Sequence, residues 1–364
     1  MKHDVIEWAQ GRRPSKIISK ETLNHRGIIE MAGGVDVYKD TKQAYIKAYQ
    51  SLGIDIINRV PLENAPMPTE AGGKREHPLK PEYTMAALGV YDTVFKDRFP
   101  CADIEQVWDF DIEHFGYEDL LVPVPHPCRC EDIKNRTQAI GQTGLYYPML
   151  YTTAFMWPVE VLGWEVFMLA ASLEPERFFE KFLLPCSKKS VAIAEITADS
   201  SDSPFVFFHD DLCNAQGPVF HPDWYDRYIF PLYKDIFAPA KKCGKKIIFV
   251  ADGNMSRFLG RLIEHGVDGI MFENPATPVE AVVEHFGCEG RFFIGGIDTA
   301  KLTFESPENV RQMVIELYDK CGGCSGFAIS SCGGLHGNIP MENLIAYFDA
   351  RAEIGATPKD WRKQ

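Results

Sequence analysis

Three titratable side chains stand together at His209, Asp210 and Asp211, directly after the apolar run Pro204 to Phe208. An imidazole beside carboxylates can hold a metal ion or move a proton, and either use needs a fixed scaffold behind it. Four further apolar runs end in chemically capable residues. After Val250 comes Ala251-Asp252-Gly253-Asn254, and after Phe272 comes Glu273-Asn274-Pro275. Ile294 is followed by Gly295-Gly296-Ile297-Asp298, and Ser330 by Ser331-Cys332-Gly333-Gly334. If these runs are neighbouring parallel strands, their carboxyl ends bring acids, a histidine and a thiol to one place. Each residue also has a plain structural use. Asp210, Asp211, Asn254 and Asp298 are all residue types that cap helices and turns, and Cys332 can be a small buried hydrophobe.

The elements that must position these groups follow from the pattern. Short runs that are apolar throughout suit strands covered on both faces: Phe205 to Phe208, Ile247 to Val250, Val267 to Phe272, Phe292 to Ile294 and Phe327 to Ser330. Helical stretches separate them, each opened by a proline with a capping side chain ahead of it, as at His221-Pro222, Thr277-Pro278 and Ser306-Pro307. Cys243-Gly244 and His265-Gly266 supply glycine exits. In the first half, Thr41 to Leu52 reads as a helix leading into a strand over Ile54 to Val60, then a long loop over Pro61 to Lys80. Phe155 to Lys188 reads as helical and rich in aromatic residues. The alternation predicts a parallel sheet and a TIM-type (β/α)8 barrel with N-terminal helical additions. Residues 1–364 form one domain in this reading, with residues 1–50 as the helical extension. A doubly wound open sheet is the alternative, but no glycine-rich dinucleotide fingerprint opens a helix after a strand.

Composition narrows the function classes. The chain has 364 residues, 45% hydrophobic and 24% charged, enough for a large core. A formal net charge of -13 argues against a nucleic-acid partner, which would need a basic surface. No apolar run approaches the ~20 residues that cross a bilayer, and the first residues lack the apolar stretch of a secretion signal, so a cytoplasmic protein is expected. The ten cysteines are then free thiols. The pairs Cys128/Cys130, preceded by His126, and Cys321/Cys324 lack the second pair of a zinc knuckle. The sequence leaves the oligomeric state open, a homodimer included.

Over residues 140 to 350 the chain resembles the uroporphyrinogen decarboxylase-like superfamily, in particular its corrinoid-dependent methyltransferase branch. The matching stretches, in order, are YYPMLYTTAFMWPVEVLGWEVFMLAASLEPERF, HDDLCNAQGPVFHPDWYDRYIFPLYKDIF, Asp252 to Asn254, GVDGIMFENP and Ile294 to Thr299. Two departures bear on the branch. The tetrapyrrole decarboxylases open with an arginine-rich motif for substrate carboxylates, and TLNHRGIIEMAGG retains only Arg26 of it. The zinc thiol methyltransferases carry a His-x-Cys before Gly-Asn and a distal Cys. Here Val250 and Asp252 occupy the first two positions, and Cys332 stands for the third.

The resemblance therefore implies a harder metal site than two thiolates provide, of the kind that helps a phenolic oxygen leave. The implied ligands of a zinc ion are Asp252, Glu273 and Cys332. His209, Asp210 and Asp211 are the expected acid-base groups, with His209 alternatively a fourth ligand. Tyr147, Tyr151, Asn254 and Asp298 are expected to line the substrate site. The implied reaction moves a methyl group from an O-methyl substrate, a methoxylated aromatic, to the Co(I) centre of cobalamin carried by a partner corrinoid protein. Activation of the ether oxygen by a carboxylic acid without metal, decarboxylation of a smaller carboxylated substrate, and a non-catalytic corrinoid-protein-binding role are the alternatives.

Overall fold

The computed structural model describes residues 2–64, 99–113, 130–331 and 333–362. Cys332, Cys128, His126 and most of the expected Pro61 to Lys80 loop lie outside the described residues. In chain order the strands are β1 (Ile18–Ser19), β2 (Ile56–Ile57), β3 (Leu145–Tyr146), β4 (Met149–Leu150), β5 (Phe205–His209), β6 (Cys213–Asn214), β7 (Gly217–Pro218), β8 (Lys246–Ala251), β9 (Gly269–Phe272), β10 (Phe292–Gly296) and β11 (Phe327–Ser330). Helices separate nearly all of the parallel strands, and the fold is α/β of TIM type.

The chain divides into two compact units. The first takes residues 1–94, 135–146 and 295–364, and the second takes 95–134 and 147–294. In the second, β4, β5, β8 and β9 lie side by side and parallel, with Phe205 opposite Lys246 and His209 opposite Val250. All five residues of β5 are buried, which explains the uninterrupted Phe-Val-Phe-Phe. Phe208 meets Phe237 of the helix Phe230–Lys242 with ring centroids 4.8 Å apart, while Phe205 meets Phe292 at 5.5 Å. Successive residues thus pack on opposite faces of the sheet. The short antiparallel pair β6/β7 folds back just past the end of β5.

In the first unit β1 pairs in parallel with β11, Lys20 bridges to Ile56, and β2 pairs in parallel with β3. Residues 1–50 are therefore not only a helical addition. The helices Lys2–Ala9 and Arg26–Gly33 are there, but so is β1, too short and too lightly apolar to show a strand period. The expected strand Ile54 to Val60 contracts to Ile56–Ile57; Asp55 just before it accepts from the Ser19 N–H with its side chain and from the Leu145 N–H with its carbonyl. Past β1, Glu21 is fully buried and accepts hydrogen bonds from Ser331, Tyr347 and Arg351, itself fully buried. This buried ion pair ties the carboxyl ends of β1 and β11 to the helix Met341–Glu353.

The predicted helix punctuation is present except at Thr277, whose hydroxyl serves Gly253 and Met255 and does not cap the helix Val279–Phe286. His221, Ser306 and Asp298 cap helices with their side chains, and Gly244 and Gly266 take φ values of 71° and 95° at helix ends. The eight described cysteines are free thiols. No described helix is long and apolar enough to cross a membrane.

Candidate metal centre

At the carboxyl ends of β5 and β8 the second unit gathers His209, Asp211 and Asp252, with one ligand atom from each within 4.8 Å of the others. His209 is the last residue of β5, buried, and its ring lies against Tyr151 with centroids 4.6 Å apart and planes 21° from parallel. Its Nδ1 is 2.6 Å from the Tyr151 carbonyl. A carbonyl only accepts, so Nδ1 carries the proton and Nε2 faces Asp211, 3.2 Å away. Fixing one imidazole nitrogen against a backbone oxygen is how proteins present the other nitrogen to a metal.

Burial alone would lower the pKa of His209, but the charge and hydrogen bond of Asp211, the Tyr151 carbonyl and the charge of Asp252 outweigh it and push the imidazole up to about 9. Burial would raise Asp211; the His209 partner and the Asp252 N–H outweigh that and hold its carboxyl below the usual range. Tyr151 is pushed up to about 12 by burial and by the charges of Asp211, Glu160 and Asp252, and stays a neutral phenol. A metal ion bound through Nε2 has to displace the imidazole proton. Zinc affinity should therefore rise about tenfold per pH unit from pH 7 to about 9, where His209 loses its proton without help, and level off above. Calorimetric zinc titration across that range checks it.

The turn that carries Asp252 is fixed through its backbone. The Asp252 N–H donates to Asp211 Oδ1 at 2.9 Å, and the N–H of Gly253 donates to Glu273 Oε2 at 3.3 Å. Asn254 N–H donates to the Asn214 carbonyl, and the Thr277 hydroxyl donates to the Gly253 carbonyl at 2.7 Å while accepting from Met255 N–H. Gly253 has φ 77°, and a Cβ there would lie 2.4 Å from the Cys213 carbonyl oxygen. Only glycine lets this turn approach β6 so closely. Gly253→Ala should shift Asp252 and weaken zinc binding by roughly tenfold or more, on the scale of a lost outer-shell partner. Unchanged affinity in that variant would mean the turn does not set the ligand.

The expected ligand set is thus corrected in part. Asp252 belongs to the group. Glu273 is exposed and stands outside it, because its carboxylate braces the Gly253 N–H of the neighbouring turn. Cys332 lies outside the described residues. His209 and Asp211, expected as acid-base groups, supply the other two ligand atoms. Asp210 is corrected outright. It is fully buried, and its carboxylate accepts from the Thr153 hydroxyl, the N–H groups of Ala154, Phe155 and Met156, and the Tyr233 hydroxyl, at 2.7–2.8 Å. Burial pushes its pKa up and the donors from 153–156 oppose this. Four of the donors fall on Oδ2 and one on Oδ1, and the carboxylate anchors the start of the helix Met156–Leu162 beside Tyr151.

Of the residues expected to line the substrate site, only Tyr151 stands with the group. Tyr147 is buried against Phe207, ring centroids 3.8 Å apart, and is core. The side chain of Asn254 accepts from Ser256 N–H, and that of Asp298 from Ala300 and Lys301 N–H, so both cap turns. Thr153 and Tyr233, which position the site, carry no local sequence signal, and Thr277, read from the sequence as a helix cap, instead braces the turn of Asp252.

One nitrogen and two carboxylate oxygens form a donor set that fits a borderline divalent ion such as zinc, with a position left for a substrate oxygen. Residues 205–354 match the family model described as uroporphyrinogen decarboxylase (URO-D). Over that stretch the chain is similar to the uroporphyrinogen decarboxylase family. The match starts at the first residue of β5 and includes the three site residues. No curated protein matches the chain. Among solved structures, an uncharacterized protein is 15% identical with a TM-score of 0.30, covering 50% of this chain; the chain spans about half of that protein, 47%. A xylose isomerase-like TIM barrel protein from Mycobacterium smegmatis in complex with magnesium is 11% identical with a TM-score of 0.39, covering 93% of this chain and 98% of that one. A β-1,4-mannanase from the common sea hare Aplysia kurodai is 11% identical with a TM-score of 0.35, covering 63% of this chain and 74% of that one.

Proposed function

We propose that the protein is a metal-assisted methyltransferase that takes a methyl group from an O-methyl substrate, a methoxylated aromatic, and passes it to the Co(I) centre of a corrinoid protein. The observation that carries this reading is the convergence of His209, Asp211 and Asp252 at two adjacent strand ends, an oxygen-rich ligand set inside a URO-D-like sequence. An aryl ether gives up its methyl group slowly because phenolate is a poor leaving group unless its oxygen is neutralised. A zinc ion held by His209, Asp211 and Asp252 would supply a Lewis acid for the ether oxygen, and a Co(I) corrinoid would supply the nucleophile for the methyl group. His209, held by the Tyr151 carbonyl, keeps Nε2 aimed into the group, and Asp211 and Asp252 add two negative charges. Tyr151 stacks on the imidazole and stays un-ionised, so it brings no further charge to the group.

The second reading leaves the metal out. With its pKa pushed up to about 9, His209 is an imidazolium at neutral pH and can itself protonate the departing oxygen. Incubating the full chain with methoxylated phenols or benzoates and Co(I) cobalamin, with and without a chelator, separates the two. Phenol release that stops on chelation and returns with zinc supports the first. Release indifferent to chelation but lost in His209→Ala supports the second. Release of CO2 without any corrinoid requirement contradicts both and points to a decarboxylase.

A further inference from the structure

In the first unit a cysteine stands at each end of one tight turn. The helix Pro307–Cys321 stops at Cys321, where the Gly322 N–H donates to the Tyr318 carbonyl at 2.7 Å. The Cys324 N–H then donates to the Cys321 carbonyl at 2.9 Å and closes a turn over Gly322 and Gly323. As the chain enters β11, the Phe327 N–H donates to the Cys324 carbonyl at 3.3 Å. Arg13 donates from Nη2 to the Gly322 carbonyl at 3.3 Å, so a residue 309 positions away in sequence holds the turn. A Cβ on Gly322 would lie 2.5 Å from the Tyr318 ring, whereas nothing stands within 4 Å of a Cβ on Gly323.

A turn closed by a hydrogen bond from its last residue to its first brings the two end Cα atoms within about 7 Å. A disulfide spans Cα atoms about 4.4–6.8 Å apart, so the folded backbone already holds Cys321 and Cys324 near bridging separation. Cys321 is fully buried and Cys324 half-buried, and neither is in a disulfide. Cys324 is therefore the thiol that a dissolved reagent meets first, with Cys321 behind it to resolve an adduct. Burial holds the Cys324 thiol above its ordinary pKa, which keeps its thiolate scarce at neutral pH and its exchange slow, on the order of hours. Disulfides near the surface are the labile and reversible ones, in contrast to deeply placed structural bridges.

We propose that Cys321 and Cys324 form a reversible redox site, a dithiol that a low-molecular-weight disulfide converts into an internal bridge between the helix Pro307–Cys321 and the approach to β11. The Cys324 thiolate attacks one sulfur of oxidised glutathione; that S–S bond breaks, one glutathione leaves and takes up a proton, and a mixed disulfide forms. Cys321 gives its proton to solvent, and its sulfur attacks the Cys324 sulfur and releases the second glutathione. Two cysteine thiols are oxidised and one oxidised glutathione is reduced to two thiols. Neither cysteine belongs to the His209 group, so the site stands apart from the metal reading. The test incubates reduced full-length protein with oxidised glutathione for hours, blocks remaining thiols with an alkylating agent and maps the peptides by mass spectrometry. Wild type should show Cys321 and Cys324 bridged, reversibly on adding dithiothreitol. Cys324→Ala should lose the bridge, and Cys321→Ala should stop at a glutathione adduct on Cys324. Cys332→Ala, which removes the third thiol of the tryptic peptide between Lys320 and Arg351, should keep the bridge. Should Cys321→Ala fail to fold, the half-buried Cys324→Ala still decides. Full alkylation of both thiols in wild type, glutathione adducts that never resolve to a bridge, a bridge that persists in Cys324→Ala or one that vanishes in Cys332→Ala overturns the proposal.

Discussion

Asp252→Ala should lower turnover of an O-methyl substrate by about 10²- to 10³-fold while leaving the fold intact. The magnitude follows from losing several kcal/mol of Lewis-acid stabilisation in the transition state, at about 1.36 kcal/mol per tenfold. The fold should survive because Asp252 is exposed, and the hydrogen bonds that fix its turn use backbone atoms of Asp252, Gly253 and Asn254. The loss should fall on kcat, with KM little changed, if the side chain acts only on charge that develops as the methyl group departs. Steady-state kinetics on metal-replete protein, beside a far-ultraviolet spectrum, checks both parts. A variant with full turnover would remove Asp252 from the site.

Asp210→Ala should cost about 3–5 kcal/mol of stability, the range for leaving buried polar partners without their charge. Three backbone N–H groups and the hydroxyls of Thr153 and Tyr233 converge on this carboxylate, and of these the Thr153 hydroxyl also reaches a second acceptor, the His209 carbonyl at 3.3 Å. The loss should appear as a lower denaturant midpoint with an unchanged slope. Zinc affinity should also fall, because the anchored segment carries Tyr151, whose carbonyl orients His209. A change under about 1 kcal/mol would show that the carboxylate is not the anchor.

The neighbours Asp210 and Asp211 show where sequence reading reaches its limit. Both follow a strand that was legible from its apolar run, and both were expected to act in chemistry. Adjacent residues leaving a strand point to different sides, and what waits on each side comes from distant segments: residues 153–156 and Tyr233 for Asp210, His209 and the Asp252 N–H for Asp211. Tyr147 and Tyr151 divide similarly, one into the core on Phe207 and one onto His209. Glu273 lies at a strand end as expected, yet its carboxylate serves a backbone amide. The five strands from β5 to β11 that carry the rhythm were legible because both faces are covered. β1 and β2, two residues each, gave no period to find. The pairing of Glu21 with Arg351 joins residues 330 apart and has no local signature.

The central claim is that His209, Asp211 and Asp252 hold a catalytic metal. Elemental analysis of protein purified without chelators, for wild type, a His209→Ala/Asp252→Ala double variant and Glu273→Ala, tests it most directly. The account predicts close to one zinc per chain in wild type and in Glu273→Ala, and none in the double variant. Zinc retained by the double variant, or a metal-free wild type that zinc does not bind when added back, would contradict it.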